Sequence, residues 1–176
     1  MSDYIIGGFR FAGIHCGIKR SGKPDLALLV ADETVACAGV YTTNQIVAAP
    51  VVQSQARLTG HHQARVVIVN SGNANACTGA IGDRDANTMA VLAAEVVGCD
   101  PRDVQVCSTG VIGAPLPMKA IESGIPAAVD ALNAAALPDF AEGIRTTDTF
   151  AKVRSDKLQV GDRRFKVAGA SKGAGM

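Results

Sequence analysis

The apolar run Val104–Cys107 stops in a hydroxyl pair followed by a glycine, Ser108-Thr109-Gly110. A strand-like segment that ends in this way can present a side-chain hydroxyl and an unobstructed backbone N–H side by side at the rim of a sheet. Two rigid donors of this kind are what an acyl-transfer site needs to stabilise a developing oxyanion. On these residues alone, the alternative is an ordinary turn that closes a strand.

Two further polar clusters follow apolar segments. The run 70–79 is crowded with amides, hydroxyls and glycines, which favours a structured loop over a strand or a stable helix. Its amides could bind either the backbone or a ligand. The second cluster is Thr146-Thr-Asp-Thr149, for which a Thr/Asp turn is the alternative. Near the end of the sequence, Lys172 offers either a cation for a substrate carboxylate or a solvated surface lysine.

The residues themselves offer no convincing nucleophile or base for acyl transfer. The segment 169–173 matches G-x-S-x-G, but the α/β-hydrolase fold places its acid and its histidine after the serine. All three histidines, at positions 15, 61 and 62, precede this segment. The pair at 61 and 62 is also a poor metal site, because adjacent side chains point in different directions. The chain therefore carries oxyanion donors, polar loops and a cation, which amount to half of a catalytic site.

The composition restricts the partners of the chain. Its 176 residues include 17 basic and 16 acidic side chains, 4% aromatic residues and no Trp. Neither a basic surface nor stacking platforms for bases are indicated, so we expect no nucleic-acid partner. No apolar run reaches the roughly 18 residues of a membrane span, and the N-terminus lacks a signal-peptide pattern. We expect a cytoplasmic protein with no membrane partner and, from the scattered spacing of its five cysteines, no metal site.

The hydrophobic pattern predicts the elements that position these residues. Alternation of strands and helices, with polar loops at strand ends, predicts a single α/β layered domain over residues 1–176. The individual predictions are an irregular strand over 5–14, a hairpin of two buried strands over 25–30 and 35–40, a helix over 54–59, a central strand over 65–69, a helix over 83–97, a strand from Val104, a helix from Pro117 continuing to Leu137, and a hairpin over 158–169 turning at Gly161-Asp162.

Six segments together resemble the ornithine acetyltransferase family, also called the bifunctional glutamate N-acetyltransferases of arginine biosynthesis. They occur in the family's order along the whole chain, and the Asn-rich loop and the Ser-Thr-Gly-Val-Ile-Gly segment are specific to it. The segments are FRFAGIHCGIK at 9–19, AGVYTTNQ at 38–45, VNSGNANACTG at 69–79, STGVIG at 108–113, TTDT at 146–149 and KGAGM at 172–176.

The resemblance implies that the chain is made as part of a longer precursor. Members of the family cut themselves before a threonine, which leaves an α chain and a β chain whose new N-terminal threonine is the nucleophile. This sequence is similar to the α chain, and the threonine is expected past Met176. The implied fold is a mixed-sheet sandwich of the helix–sheet–sheet–helix type, completed by the β chain in an assembly of two α and two β chains (α2β2).

The resemblance also implies roles for four residues. The Thr109 side chain and the Gly110 N–H are expected to form the oxyanion hole, and Thr146 and Lys172 to contact the substrate. The implied reaction transfers an acetyl group from N2-acetyl-L-ornithine to L-glutamate through an acetyl-enzyme, giving L-ornithine and N-acetyl-L-glutamate. The amine of an N-terminal threonine can act as the base, which explains the lack of a catalytic histidine.

The implied transfer needs no metal or organic cofactor, although members that make acetylglutamate afresh use acetyl-CoA as the donor. One alternative is an amidohydrolase or aminopeptidase of related fold with an N-terminal threonine, in which water replaces glutamate as the acceptor. The other is a non-catalytic amino-acid-binding module, which a partner chain without an N-terminal Thr or Ser would favour.

Overall fold

The computed structural model describes residues 2–173, which form a four-stranded sheet, a separate β-hairpin and four α-helices. In the sheet, β3 pairs antiparallel with β2 and parallel with β4, and β1 pairs antiparallel with β2. The strands are β1 Phe9–Ile14, β2 Leu26–Ala36, β3 Gln63–Asn73, β4 Val104–Val111, β5 Lys152–Val160 and β6 Arg163–Ser171, and the helices are α1 Ala49–Leu58, α2 Gly79–Val97, α3 Met118–Asp130 and α4 Leu137–Gly143, with short 3-10 turns at Ser2–Tyr4 and Pro101–Asp103.

Side chains alternate across the four-stranded sheet and build a core on each face. One face carries Val66 and Ile68 of β3 with Val104 and Val106 of β4, all buried against α2 and α3. The other face carries Val69, which packs with α4 and with the base of the β5–β6 hairpin. The mixed, layered α/β architecture predicted from the sequence is confirmed, and β3 is central as expected. Its completion by a second chain remains a prediction.

The predicted hairpin over 25–40 is wrong. The segment forms one long strand, β2, that pairs with β1 on one side and β3 on the other, with a register shift between Val30 and Val35. Of the polar residues 32–34, Asp32 and Thr34 bond to neighbouring elements: Arg10 donates to Asp32 at 3.2 Å, and the Thr34 hydroxyl donates to Asp103 at 2.8 Å. The second half of β2 is exposed, whereas both predicted strands were expected to be buried.

The helices differ from the predictions mainly at their ends. α1 begins at Ala49 instead of residue 54. Pro50 is tolerated there because the N–H groups of a first helical turn have no partner within the helix, so the missing N–H of proline removes no hydrogen bond. α3 runs through Gly124 and Pro126 without a break, and a Cβ at Gly124 would lie 2.5 Å from Cys16 Cβ. The glycine therefore lets α3 lie close to the chain that leads from β1 to β2.

The stretch after α3 is not its continuation. The backbone of Asn133 bonds with that of Phe11 in both directions, at 3.0 and 2.9 Å, and α4 starts only at Leu137. The helix over 83–97 and the terminal hairpin are confirmed, the helix starting one turn earlier than expected. Within residues 2–173, none of the helices combines the length and the apolar character needed to cross a bilayer.

Candidate active site

Parallel pairing of β3 and β4 brings two polar strand ends together. In the register of the two strands, Asn70 lies opposite Ser108, Ser71 opposite Thr109, and Gly72 opposite Gly110. The sequence prediction treated 70–79 as loop, but residues 70–73 belong to β3, because a pairing strand satisfies their backbone groups. β4 likewise continues through the Ser-Thr-Gly segment to Val111. The carboxyl ends of parallel strands meet at one edge, which is a common place for a ligand site.

The asparagines of this segment are used inside the protein. Asn70 and Asn75 are fully buried, and their side-chain amides donate to the carbonyls of Asn73 and Gly82, each at 2.9 Å. The Asn73 amide donates to the carbonyls of Ala114 and Pro115, both at 3.0 Å. Of the two roles left open by the sequence, the structure assigns these amides to the backbone. These bonds tie the end of β3 to residues 114–115 and to the first turn of α2.

The direction of the Gly110 N–H follows from the bonds along β4. The hydroxyl of Ser54, on α1, accepts from Val106 N and donates to Val106 O, both at 2.9 Å, on the side of β4 away from β3. The carbonyl of Val111 accepts from Ala74 N at 2.8 Å and so faces the β3 side. Because backbone groups alternate along a strand, the N–H of Gly110 points away from β3, where it can donate to a ligand.

Lys172 reaches the same rim from the end of β6. Its Nζ donates to the hydroxyl oxygen of Thr109. An ammonium has no acceptor capacity, so Thr109 must accept in this contact. The hydroxyl hydrogen of Thr109 is then available to an acceptor in front of the strand. A cation, a hydroxyl donor and a backbone donor are thereby brought together, which suits the stabilisation of an oxyanion.

All four residues predicted for the site line one groove of about 660 Å³. Thr109 and Gly110 contribute its floor, Lys172 reaches it from β6, and Thr146 lines it from the loop after α4. Val111 and Ile112 also line the groove and are more than half exposed. The segment 172–176 is described only up to Gly173, so the rest of that family motif lies outside the described residues.

Lys19 is a groove residue that the sequence reasoning missed. It lies in a basic stretch rich in turn formers, which gave no sign of a partner. Its Nζ donates to the carbonyls of Pro24 and Arg145, at 2.6 and 2.7 Å. Burial lowers the pKa of Lys19, an effect that the carboxylate of Asp25 partly opposes. The only available signal was its place in the first of the family segments.

A buried carboxylate organises the loop that carries Lys19. Asp25 is fully buried and accepts from the backbone N–H of Cys16 at 2.7 Å, from the N–H of Lys19 at 2.8 Å, and is in contact with His15 Nδ1 at 3.0 Å. Burial by itself raises the pKa of Asp25, but the backbone donors of Cys16 and Lys19, together with the Cys16 thiol and nearby His15, more than offset this effect and leave the pKa below its ordinary value. Ionised Asp25 thus holds the loop against the groove.

We expect Asp25→Asn to lower the free energy of unfolding at pH 7 by about 2–4 kcal/mol, because an amide NH₂ would face the N–H donors that the carboxylate now accepts. Since the pKa of Asp25 is lowered in the folded protein, its contribution is present above the unfolded value near 4 and is lost as pH falls through the folded value. Urea unfolding at pH 7 and pH 3 measures both effects. The difference in free energy of unfolding between wild type and Asp25→Asn should become smaller on acidification.

The control for this variant is Asp83→Asn, on the exposed side of α2. It removes one carboxylate without removing a buried acceptor, so its stability should stay within about 0.5 kcal/mol of wild type. If Asp25→Asn lowered the free energy of unfolding at pH 7 no more than this control does, the proposed organising role of Asp25 would be refuted.

The ArgJ family model matches residues 10–176 of the chain. The chain belongs to the ArgJ family. Among curated members, the arginine biosynthesis bifunctional protein ArgJ of Rhodopirellula baltica is 53% identical over 172 residues, with 96% of this chain and 42% of that protein covered. The ArgJ protein of Geobacter sulfurreducens is 48% identical over 169 residues, covering 96% and 43%. This chain therefore spans less than half the length of these curated relatives.

Two solved ArgJ-family structures have the same fold. The ArgJ crystal structure from Bacillus halodurans superposes with a TM-score of 0.90 at 39% identity, covering 97% of this chain and 89% of that chain. Ornithine acetyltransferase from Mycobacterium tuberculosis, solved with ornithine, gives a TM-score of 0.92 at 40% identity, covering 99% and 92%. These matches confirm the family resemblance stated from the sequence.

Proposed function

We propose that this ArgJ-family chain is the α chain of an acetyltransferase that moves an acetyl group from N2-acetyl-L-ornithine to L-glutamate. The observation that carries the proposal is the convergence of Thr109, Gly110 and Lys172 on one groove. Such a set of donors suits the anionic tetrahedral intermediate of acyl transfer. The related Mycobacterium tuberculosis protein is named an ornithine acetyltransferase and was solved with ornithine, which supports the amino-acid donor.

The nucleophile in this proposal is the N-terminal threonine of a second chain cut from the same precursor. Chain lengths within the family support this: the solved chains are covered to 89% and 92%, whereas the curated proteins are covered to 42% and 43%. Family members are therefore found in crystals as chains much shorter than the whole protein, as expected for a precursor divided into two.

In the proposed reaction, the threonine Oγ attacks the acetyl carbonyl while the threonine's own amine takes the hydroxyl proton. The carbonyl oxygen becomes an oxyanion, which accepts from the Thr109 hydroxyl and the Gly110 N–H. Collapse of the intermediate breaks the C–N bond, and the amine returns the proton to the departing ornithine. The α-amine of glutamate then attacks the acetyl-enzyme in the reverse sense. No metal or organic cofactor takes part, and acetyl-CoA is an alternative acetyl donor in the proposal.

Lys172 and Thr146 are proposed to contact the substrate. Lys172 has three N–H donors, and only one is needed for the Thr109 hydroxyl, so others are available to a substrate carboxylate. Lys19, which also lines the groove, already donates to two carbonyls through its Nζ. Lys172 is therefore the better candidate for carboxylate recognition, and Thr146 adds a hydroxyl on the facing loop.

An uncovered apolar face supports a partner chain. In the β5–β6 hairpin, Leu158 lies opposite Phe165, and Val160 and Val167 lie on the same face by strand alternation. All four side chains are about half exposed or more. A two-stranded sheet is marginally stable unless something covers its apolar face. We propose that the β chain covers it in an α2β2 assembly, and that the enzyme works in the cytoplasm.

The function is tested on the full-length protein by intact mass measurement, N-terminal sequencing and acetyl-transfer assays. We expect two chains, the second beginning with threonine, and formation of N-acetylglutamate that depends on both N2-acetylornithine and glutamate. Ornithine release without glutamate at an equal rate would indicate the N-terminal-threonine amidohydrolase instead. A second chain without an N-terminal Thr or Ser, with binding but no turnover, would indicate the non-catalytic module.

A further inference from the structure

We propose that Asp148 is a positioning residue that holds Lys172 against Thr109; this inference rests on the proposed acetyl transfer. Asp148 belongs to the loop after α4, and both of its carboxylate oxygens accept from the backbone N–H of Gly173, at 3.0 and 2.9 Å. Gly173 is the residue directly after Lys172. One side chain therefore bonds the peptide group that joins Lys172 to the following residue.

The Asp148 carboxylate is well placed to act as a fixed anchor. Only 3% of its side chain is exposed, and it forms an ion pair with Lys152 at the start of β5. Bonds from the Lys152 ammonium and the Gly173 N–H lower the pKa of Asp148, so the carboxylate is ionised at neutral pH. Charge-assisted bonds of this kind are shorter and stronger than neutral ones.

The backbone of Asp148 is itself held from the other side. Arg145 donates to the carbonyl of Asp148 at 2.8 Å and to the carboxylate of Glu142, in α4, also at 2.8 Å. The carbonyl of Arg145 accepts from Lys19 at 2.7 Å. Asp148 is thus tied to α4 and to the loop organised by Asp25, and neither connection runs through the hairpin that carries Lys172.

Asp148 and Gly173 each lie close in sequence to a residue that lines the groove. Thr146 lies two residues before Asp148 on one wall, and Lys172 lies one residue before Gly173 on the other. The Asp148–Gly173 bonds join these walls. They fix the base of the Lys172 side chain, so that its Nζ meets Thr109 rather than solvent. In this arrangement Asp148 acts on the reaction through Lys172 and does not touch the substrate.

The test compares Asp148→Ala, Asp148→Asn and Lys172→Met in the full-length protein. Asp148→Ala should lower kcat about tenfold, since small displacements of positioned groups have effects of this size or larger. Asp148→Asn keeps an acceptor for Gly173 but loses the charge facing Lys152, so its decrease in kcat should be smaller than that of Asp148→Ala. The double variant Asp148→Ala/Lys172→Met should be no slower than Lys172→Met alone, because both changes remove the same contribution.

The control is Asp162→Asn, an exposed carboxylate in the hairpin turn, which should keep wild-type kcat. The positioning role would be overturned if the decreases in kcat of the two single variants multiplied in the double variant, or if Asp148→Ala kept wild-type kcat. A crystal structure of Asp148→Ala tests it without turnover: the Lys172–Thr109 contact should be lost, and its retention contradicts the proposal. An inactive wild-type protein would refute the acetyl transfer, whereas an active wild type with an intact contact in the variant would refute only the role of Asp148.

Discussion

Replacing Thr109 by alanine should lower kcat for acetyl transfer about 10²–10³-fold, equivalent to about 2.7–4 kcal/mol of transition-state stabilisation. The Thr109 hydroxyl accepts from Lys172 and can direct its hydrogen to the oxyanion. Alanine removes this donor and leaves the Lys172 ammonium without its oxygen partner. Steady-state kinetics with N2-acetylornithine and glutamate measure the loss, which should appear mainly in kcat because the oxyanion develops only after the substrate has bound, as the tetrahedral intermediate forms.

Two matched variants separate the chemistry from folding. Thr109→Ser keeps the hydroxyl and should retain activity within about tenfold of wild type, since the donor survives with less rotamer restriction. Thr88→Ala removes an exposed threonine hydroxyl of α2 that bonds only to the Arg84 carbonyl among the contacts described, and should leave kcat unchanged. Undiminished turnover in Thr109→Ala would refute the oxyanion assignment.

Gly110→Ala should be more damaging still, because it affects stability and catalysis together. The backbone of Gly110 has φ +138, and an added Cβ would lie 2.3 Å from the carbonyl carbon of Gly72 and 2.5 Å from the nitrogen of Asn73. These are backbone atoms of the paired strand, so β3 and β4 must separate. We expect the free energy of unfolding to fall by about 3–5 kcal/mol and kcat to fall at least about 10²-fold as the Gly110 N–H moves.

Gly113→Ala is the appropriate comparison for the Gly110 variant. Its backbone also lies in the left-handed region, at φ +82, but an added Cβ meets nothing within 4 Å. Only the conformational strain remains, which costs about 1–2 kcal/mol. Thermal unfolding and kcat should both separate the two variants clearly. Equal effects of the two would show that strain, and not the approach of β4 to β3, determines the requirement for glycine at 110.

Secondary structure was predictable from sequence where the residue pattern of one segment is enough by itself to indicate a strand or a helix. The β-branched run at 65–69 and the helical spacing over 83–97 identified β3 and α2 without any tertiary information. The pattern failed at 25–40, where polar residues 32–34 look like a turn. Their partners Arg10 and Asp103 come from β1 and from the turn before β4, and no local pattern contains them.

The sequence by itself determined which chemical groups end the strands: the Thr109 hydroxyl, the Gly110 backbone and the cation Lys172, together with the family to which they belong. Only the tertiary structure decided that these groups meet, that Asn70 and Asn75 bond to the backbone, and that Asp148 holds Gly173. The physical reason is separation along the chain. Thr109 and Lys172 lie 63 positions apart, and their contact depends on the parallel pairing of β3 with β4 and on how the hairpin packs against α4, neither of which is specified by residues adjacent to the site.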